Sequence, residues 1–381
     1  MVLLQRRCFM DTKRILDEFM ELTAIEVHSL DERRIADVLK KKLTDLGLTV
    51  KEDEAGGKLG GNTGNLYAVL PGDPAKESLL FSAHMDRVGN HGHIKAVYDE
   101  KEGIIHSDGT SILAGDDVGG LVSILAMLRE VTEQKIPHGT IEVAFSICEE
   151  LGVQGSRQYD FSQFQSKSCF VMDASGRAGT IVLAAPSKGK VTIQVHGRTA
   201  HAGNEPEKGL NAVKVAADLI LQLPDSRQSP QTTANFSMLS AGNATNVVCD
   251  LVTITGEQRS RDAGEYQAVS DKIHGAAAWI SQKYDTPIDV AIETLYHAFK
   301  LPETARPCVL AKEAGEAVGA DPFFKEGGGG MDANHFNEHG IAAVGIGTGN
   351  FKCHTSGEYQ SVSDLFRCAA QAVEIVKLAG K

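Results

Sequence analysis

The chain of 381 residues is 42% hydrophobic and 23% charged, which excludes a disordered chain and, at this length, favours two domains. Phosphate backbones repel its formal net charge of −12, so nucleic acid is excluded as a partner. Its seven cysteines are odd in number and lack a Cys-x-x-Cys pair, which argues against a disulfide framework and for a reducing, cytoplasmic compartment; no apolar run is long enough to span a membrane.

Met1 to Met10 carries Arg6 and Arg7 with no apolar core behind them, unlike a secretory signal. Helical periodicity starts only after Met10, so Met10 is the expected natural start. Leu16, Phe19, Met20 and Ala24 recur at helical spacing. A second helix is expected over 31–46, with Ile35, Val38, Leu39, Leu43 and Leu46 on one face and Gly47 as its stop. Short apolar runs at 65–70 and 79–83 read as buried strands. The stretch 118–131 reads as a helix, and 141–147 and 169–172 as further buried strands. This alternation predicts an α/β fold, a mixed and largely parallel sheet flanked by helices.

The texture changes near Pro186. Lys190 to His196 (KVTIQVH) alternates as a strand with one exposed face does. A helix at 210–223, strands at 233–239 and 247–255, a helix at 263–283 and a strand at 288–295 follow. The β-α-β-β-α-β order is the ferredoxin-like pattern. The α/β texture then resumes, with a helix at 305–318, a strand at 342–347 and a helix at 362–378. The expected organisation is one α/β domain in two parts, 1–185 and 298–381, interrupted by an inserted ferredoxin-like α+β domain at 186–297.

Ligands of open α/β sheets gather at the carboxyl ends of strands, and five motifs fall there. His84-Met85-Asp86 follows the strand ending at Ala83. Residues two apart in extended chain point the same way, so Asp86 can accept the second N–H of a metal-binding His84. Alone, such a pair is weak. Ala114-Gly115-Asp116-Asp117 opens a helix with adjacent carboxylates, whose repulsion a cation would remove; the plainer reading is a helix cap with an acidic first turn. Cys148-Glu149-Glu150 ends a buried strand. One glutamate can hold a metal while the other acts as general base, against the alternative of a solvated helix start. Asp173 ends the strand in MDASG, and His354 lies in KCHTSGE after a glycine-containing turn. Together the motifs supply two histidines, two acidic ligands and one carboxylate to bridge. That is a full set for two divalent ions per chain, zinc by preference, with manganese and cobalt also suited.

The order HMD, AGDD, EELG, MDASG, AHAGNEPEKGLNA, GEQRSRD, GGMDANHF and CHTSGEY resembles the peptidase T-like co-catalytic zinc aminopeptidases over nearly the whole chain. Their wider clan includes glutamate carboxypeptidases and aminoacylases. The resemblance implies a catalytic α/β domain and an inserted lid or dimerisation domain. It implies that His84 and Asp173 hold one zinc, that Glu150 and His354 hold the other, and that Asp116 bridges both, followed by a cis peptide to Asp117. Asp86 stands behind His84, and Glu149 is the general base. In the inserted domain, His201 steadies the oxyanion, often across a dimer. Asn246 contacts substrate, and the fork of Arg259 grips a substrate carboxylate.

The expected function is therefore removal of the N-terminal residue of short peptides, in a possible homodimer paired through the inserted domain. The alternatives are a carboxypeptidase, a dipeptidase or an N-acyl-amino-acid deacylase of the same clan, and, in a different class, a non-catalytic peptide or metal binder on this fold. A nucleotide site is not expected, since the turns carry no phosphate-loop pattern. His91 and His93 read as solvent-facing, and Gly327 to Gly330 as a pliant loop that lets Asp332 approach the site.

Overall fold

The computed structural model describes residues 10–89 and 92–381. The expectations for the first nine residues and for His91 lie outside that range. The chain divides into two compact units. One is Ala185–Phe299, and the other comprises the described residues up to Ala184 together with Lys300–Lys381.

The discontinuous unit is built on a mixed sheet. Its strands lie in the order Thr49–Glu52, Leu66–Leu70, Ile141–Ser146, Leu79–His84, Ser168–Ala174, Ala342–Gly347 and Thr180–Ala185. The four central strands, Ile141–Ser146 to Ala342–Gly347 in that order, run parallel. The register sets their carboxyl ends level: His84 lies opposite Ser146, and Ala174 opposite Gly347. Every residue of Leu79–His84 and of Ile141–Ser146 is buried, so the sequence reads as mainly apolar stretches, Glu142 the charged exception, rather than as alternation. Phe81 and Phe170, register partners on adjacent strands, stack at 5.4 Å.

The helix Gly115–Glu133 packs on the strands Leu79–His84 and Ser168–Ala174 and is covered by the helices Thr12–Ala24 and Val362–Ala379. It is buried on nearly all sides, which requires small residues where it nears the sheet. A Cβ on Gly120 would sit 1.9 Å from the carbonyl oxygen of Met172. Asp116 and Asp117 have non-helical backbone angles, and the peptide between them is cis. Buried Arg87 donates to the carbonyls of Leu22, Thr23 and Ile25, closing the end of the helix Thr12–Ala24. The strands Ala96–Asp99, Ile104–Ser107, Tyr359–Ser361 and Asn350–Phe351 form a second, antiparallel sheet. They are short and mixed in polarity, and the sequence reading had not marked them.

The unit Ala185–Phe299 is an antiparallel sheet in the order Ser226–Ser229, Thr232–Ala241, Leu251–Ser260, Ser187–His196, Ile288–Tyr296. Its helices Ala212–Ile220 and Ala263–Tyr284 share the apolar core formed by Val191, Ile193, Val195, Val252 and Ile254. The strand expected at 247–255 instead occupies Leu251–Ser260. Val247 and Val248 are taken up by backbone pairing with His201 and Ala200. The shift puts Arg259 on a strand.

Among the described residues, no helix is long and apolar enough to cross a membrane.

Candidate functional site

The level ends of the parallel strands bring the motif residues together. His84 closes its strand, and its Nε2 lies 3.1 Å from Asp116 Oδ1 and 3.7 Å from Asp173 Oδ1. His354 Nε2 lies 3.2 Å from Asp116 Oδ2 and 3.1 Å from Glu150 Oε1. Asp116 thus turns one oxygen to each imidazole. Asp116 takes this position with a non-helical backbone, φ −86° and ψ 102°.

Asp117 follows a different course. Its Oδ2 accepts the His84 backbone N–H at 3.2 Å and its Oδ1 accepts the Gly120 N–H at 3.0 Å. Both oxygens are engaged by backbone, so this carboxylate ties the strand end to the first helical turn.

His84 Nδ1 donates to the backbone carbonyl of Asp86 at 3.0 Å, and the Asp86 carboxylate stands farther away, at 3.4 Å. That carboxylate is fully buried and has other donors: Ser29 Oγ at 2.6 Å and the backbone N–H groups of Glu149 at 2.9 Å and Glu150 at 3.2 Å. Asp86 therefore fastens the segment that bears the glutamate pair.

Burial holds Asp117, Asp173, Glu149 and Glu150 above the usual carboxylate range, and repulsion from neighbouring carboxylates adds to it. Burial opposes charge on Asp116 too, yet hydrogen bonds from His354 and His84 hold it well below that range. The hydrogen bonds to Asp116 and Glu150 push His354 up to about 10. Burial works to lower His84, but Asp116 and Asp86 outweigh it and raise it.

The arrangement fits divalent cations. Ligand atoms of His84, Asp116 and Glu150 lie within 4.8 Å of one another, and so do those of His84, Asp117 and Asp173. The carboxylates of Asp116, Asp173 and Glu150 crowd only two imidazoles, with Glu149 and Asp117 close by, an excess of negative charge that a cation would neutralise. The bond from His84 Nδ1 also leaves Nε2 turned to the carboxylates, the orientation that a ligating histidine needs.

The inserted unit holds the other expected residues. His201 is exposed, and its Nδ1 accepts the N–H groups of Gly203 and Asn204, both at 3.1 Å. The proton then belongs on Nε2, which becomes a donor. Asn246 is the neighbouring segment, its carbonyl accepting the Ala202 N–H at 3.0 Å. Arg259 is engaged by Glu257, at 2.7 Å through Nε and 3.2 Å through Nη2, and Lys188 meets the same carboxylate at 3.1 Å.

Several residues of the site had no role in the sequence reading. Ser29 binds Asp86. Glu32 is buried and accepts the N–H groups of Leu30 and Cys148; burial, with Asp86 nearby, pushes it up to about 7. Glu358 and Asn350 pack beneath the Asp116 loop. Glu358 stood in the CHTSGEY motif, but nothing marked it as buried. Asp332, two residues beyond the Gly327–Gly330 stretch and expected from the sequence to approach the site, is buried and accepts Ser146 Oγ at 2.5 Å, which ties it to a strand end. His93 is exposed, with Nδ1 2.9 Å from the Ala24 carbonyl.

Comparison with known proteins adds a family. A family model described as a peptidase dimerisation domain matches residues 186–285. The chain is 36% identical to a solved aminopeptidase PepT from Bacillus cereus, with a TM-score of 0.88, covering 98% of this chain and 100% of that one. It is 31% identical to a solved tripeptidase from Staphylococcus aureus, with a TM-score of 0.91, covering 97% and 99%. A Peptidase T from Geobacillus thermodenitrificans is 28% identical over 284 residues, 72% of this chain and 67% of that protein. Likeness at this identity over essentially full length means that the chain belongs to the peptidase T-like M20 peptidases and is a hydrolase of that family.

Proposed function

We propose that the protein is a two-metal aminopeptidase that removes the N-terminal residue of short peptides, tripeptides foremost. The observation that supports this most is the Asp116 carboxylate, with one oxygen 3.1 Å from His84 and the other 3.2 Å from His354. In this reading His84 and Asp173 would hold one divalent ion, Glu150 and His354 would hold the other, and Asp116 would be shared between them. Zinc suits the ligand types best, and manganese or cobalt would also be accepted. Such ions, when bound, lower the pKa of water and polarise the scissile carbonyl.

Glu149 is the general base. No described residue occupies its carboxylate, although its backbone N–H is held by Asp86 at 2.9 Å. It takes the proton from the attacking water and delivers it to the leaving amine nitrogen. His201, with its proton on Nε2, donates to the developing oxyanion. Asn246 contacts the substrate, and Arg259 binds the carboxylate end, competing with Glu257 for that fork. The protein pairs as a homodimer through the inserted unit. The match to a dimerisation domain supports this. So does the strand Thr232–Ala241, which has no described strand beside it beyond Ala234 on one edge and carries exposed Met238 and Leu239 there.

Metal content and tripeptide hydrolysis, measured on wild type and Glu149→Ala, test the reading. About two ions per chain in both, with cleavage by wild type only, is the expected result. Metal uptake without cleavage of any free-amine peptide refutes the aminopeptidase assignment, and activity on amine-blocked substrates then identifies a deacylase or carboxypeptidase. A chain that takes up no metal refutes the two-metal reading.

A further inference from the structure

The segment that carries His354 also carries Glu358. It forms the turn between two short antiparallel strands, Asn350–Phe351 and Tyr359–Ser361, in which Asn350 lies opposite Gln360 and Phe351 opposite Tyr359. His354 projects from the turn onto Asp116, and Glu358 enters the final strand fully buried. Its carboxylate accepts four hydrogen bonds. Oε2 takes the N–H of Leu113 at 3.0 Å and of Ala114 at 2.9 Å. Oε1 takes the N–H of Asp116 at 3.2 Å and Asn350 Nδ2 at 3.1 Å.

These donors need such an acceptor. Ala114 has φ +62°, in the left-handed region, and Asp116 and Asp117 have non-helical angles, so the loop 113–116 has no helical or strand partner for these N–H groups. Ordinary helix starts are met by a Ser, Thr, Asp or Asn side chain at the cap, and here Ala114 occupies that position and cannot serve. Gly115 leaves room for the arrangement: a Cβ there would meet the Asn350 side chain at 3.3 Å.

We infer that Glu358 is a positioning residue for Asp116: its carboxylate fixes the backbone of the loop 113–116 so that the two Asp116 oxygens face His84 and His354. One short hairpin turn then supplies both His354, on one Asp116 oxygen, and the anchor for the Asp116 backbone. The inference rests on the proposed metal-binding role of Asp116 and extends it to a residue outside the ligand set.

The chemistry explains why a carboxylate is needed. Only an ionised carboxyl group accepts on both oxygens, whereas an amide replaces one acceptor with a donor. In Glu358→Gln the amide nitrogen would settle at the Oε1 position, where Asn350 can flip and offer its own oxygen. Leu113 and Ala114 then keep their acceptor. The Asp116 N–H cannot reverse, and it loses its acceptor.

The test is zinc affinity, by competition with a chromophoric chelator, together with the melting temperature of the metal-free proteins, for wild type, Glu358→Gln and Asn350→Ala. Wild-type binding reports on the metal reading itself, and the ratio of variant to wild type reports on Glu358. Glu358→Gln is expected to bind zinc roughly 10- to 100-fold more weakly while the metal-free protein still melts cooperatively. Zinc affinity within about twofold of wild type would overturn the inference, whatever the change in melting temperature. Should Glu358→Gln fail to fold, Asn350→Ala decides. It removes one donor that orients Glu358, and a loss of about threefold or more supports the role, whereas a smaller change overturns it.

Discussion

Replacing Asp86 with Asn isolates the job of a carboxylate that is buried and touches three donors besides the nearby His84. The amide can sit two ways. With its nitrogen at the Oδ1 position it would confront the Glu149 N–H, 2.9 Å away, and His84 Nδ1 at 3.4 Å. With its nitrogen at the Oδ2 position it meets Ser29, whose hydroxyl can turn and accept, and the Glu150 N–H at 3.2 Å. The second orientation is favoured, so the variant loses one hydrogen bond, to the Glu150 backbone. A buried N–H left without a partner costs about 1–3 kcal/mol. If that cost falls on the placement of Glu150 and Glu149 in the transition state, kcat drops roughly 5- to 150-fold. His84 should hold its orientation, because its Nδ1 bonds to the Asp86 carbonyl, which the substitution leaves in place. Steady-state kinetics on a tripeptide and urea unfolding, run on Asp86→Asn and wild type at saturating metal, read both parts. A kcat within about twofold of wild type, with an unchanged urea midpoint, would falsify the claim that Asp86 holds the glutamate pair.

Two predictions concern the scaffold. Hydrogen bonding from Arg33 holds the Glu52 carboxyl near 2, below its ordinary 4.5. A depressed folded-state pKa stabilises above the unfolded value, and the benefit disappears as pH falls through about 2. Glu52→Gln should therefore cost about 1–3 kcal/mol at pH 7, with the gap to wild type narrowing below pH 4.5; a gap that stays constant in urea unfolding from pH 7 to about 3 contradicts this. Gly120→Ala forces a methyl to within 1.9 Å of the Met172 carbonyl, so the helix must move off the strand. A loss of about 1–3 kcal/mol or more is expected, together with reduced activity because Asp116 lies in the first turn of that helix; a variant that melts with wild type shows that the helix can move without cost.

The parallel core was legible because its strands are buried on both faces and read as mainly apolar runs, as in 79–83 and, apart from Glu142, 141–145. Three of the motifs, at His84, Glu149 and Asp173, were legible for a related reason: they end or follow such a run, and strand ends are where a sheet presents side chains. The inserted unit announced itself by the change to alternation at Lys190 to His196. The small antiparallel sheet gave no such signal, since strands of two to four residues with mixed polarity carry too little periodicity. The strand at Leu251–Ser260 was placed too early because apolar Val247 and Val248 suggest a strand by composition, while backbone pairing with the His201 segment claims them.

The buried glutamates mark the boundary most clearly. Glu32 and Glu358 look like any surface glutamate in the sequence, yet each is fully buried and accepts backbone N–H groups distant along the chain. What the sequence determined by itself was the order of strands and helices and the chemical types gathered at the strand ends, because both follow from local patterns. Only the tertiary structure decided that Asp117 spends both carboxylate oxygens on backbone N–H groups, that Asp86 holds the Glu149 backbone, and that Glu358 lies under the Asp116 loop. Those outcomes depend on register, on a close helix–strand approach and on hydrogen bonds between residues up to 245 positions apart, and no local pattern encodes them.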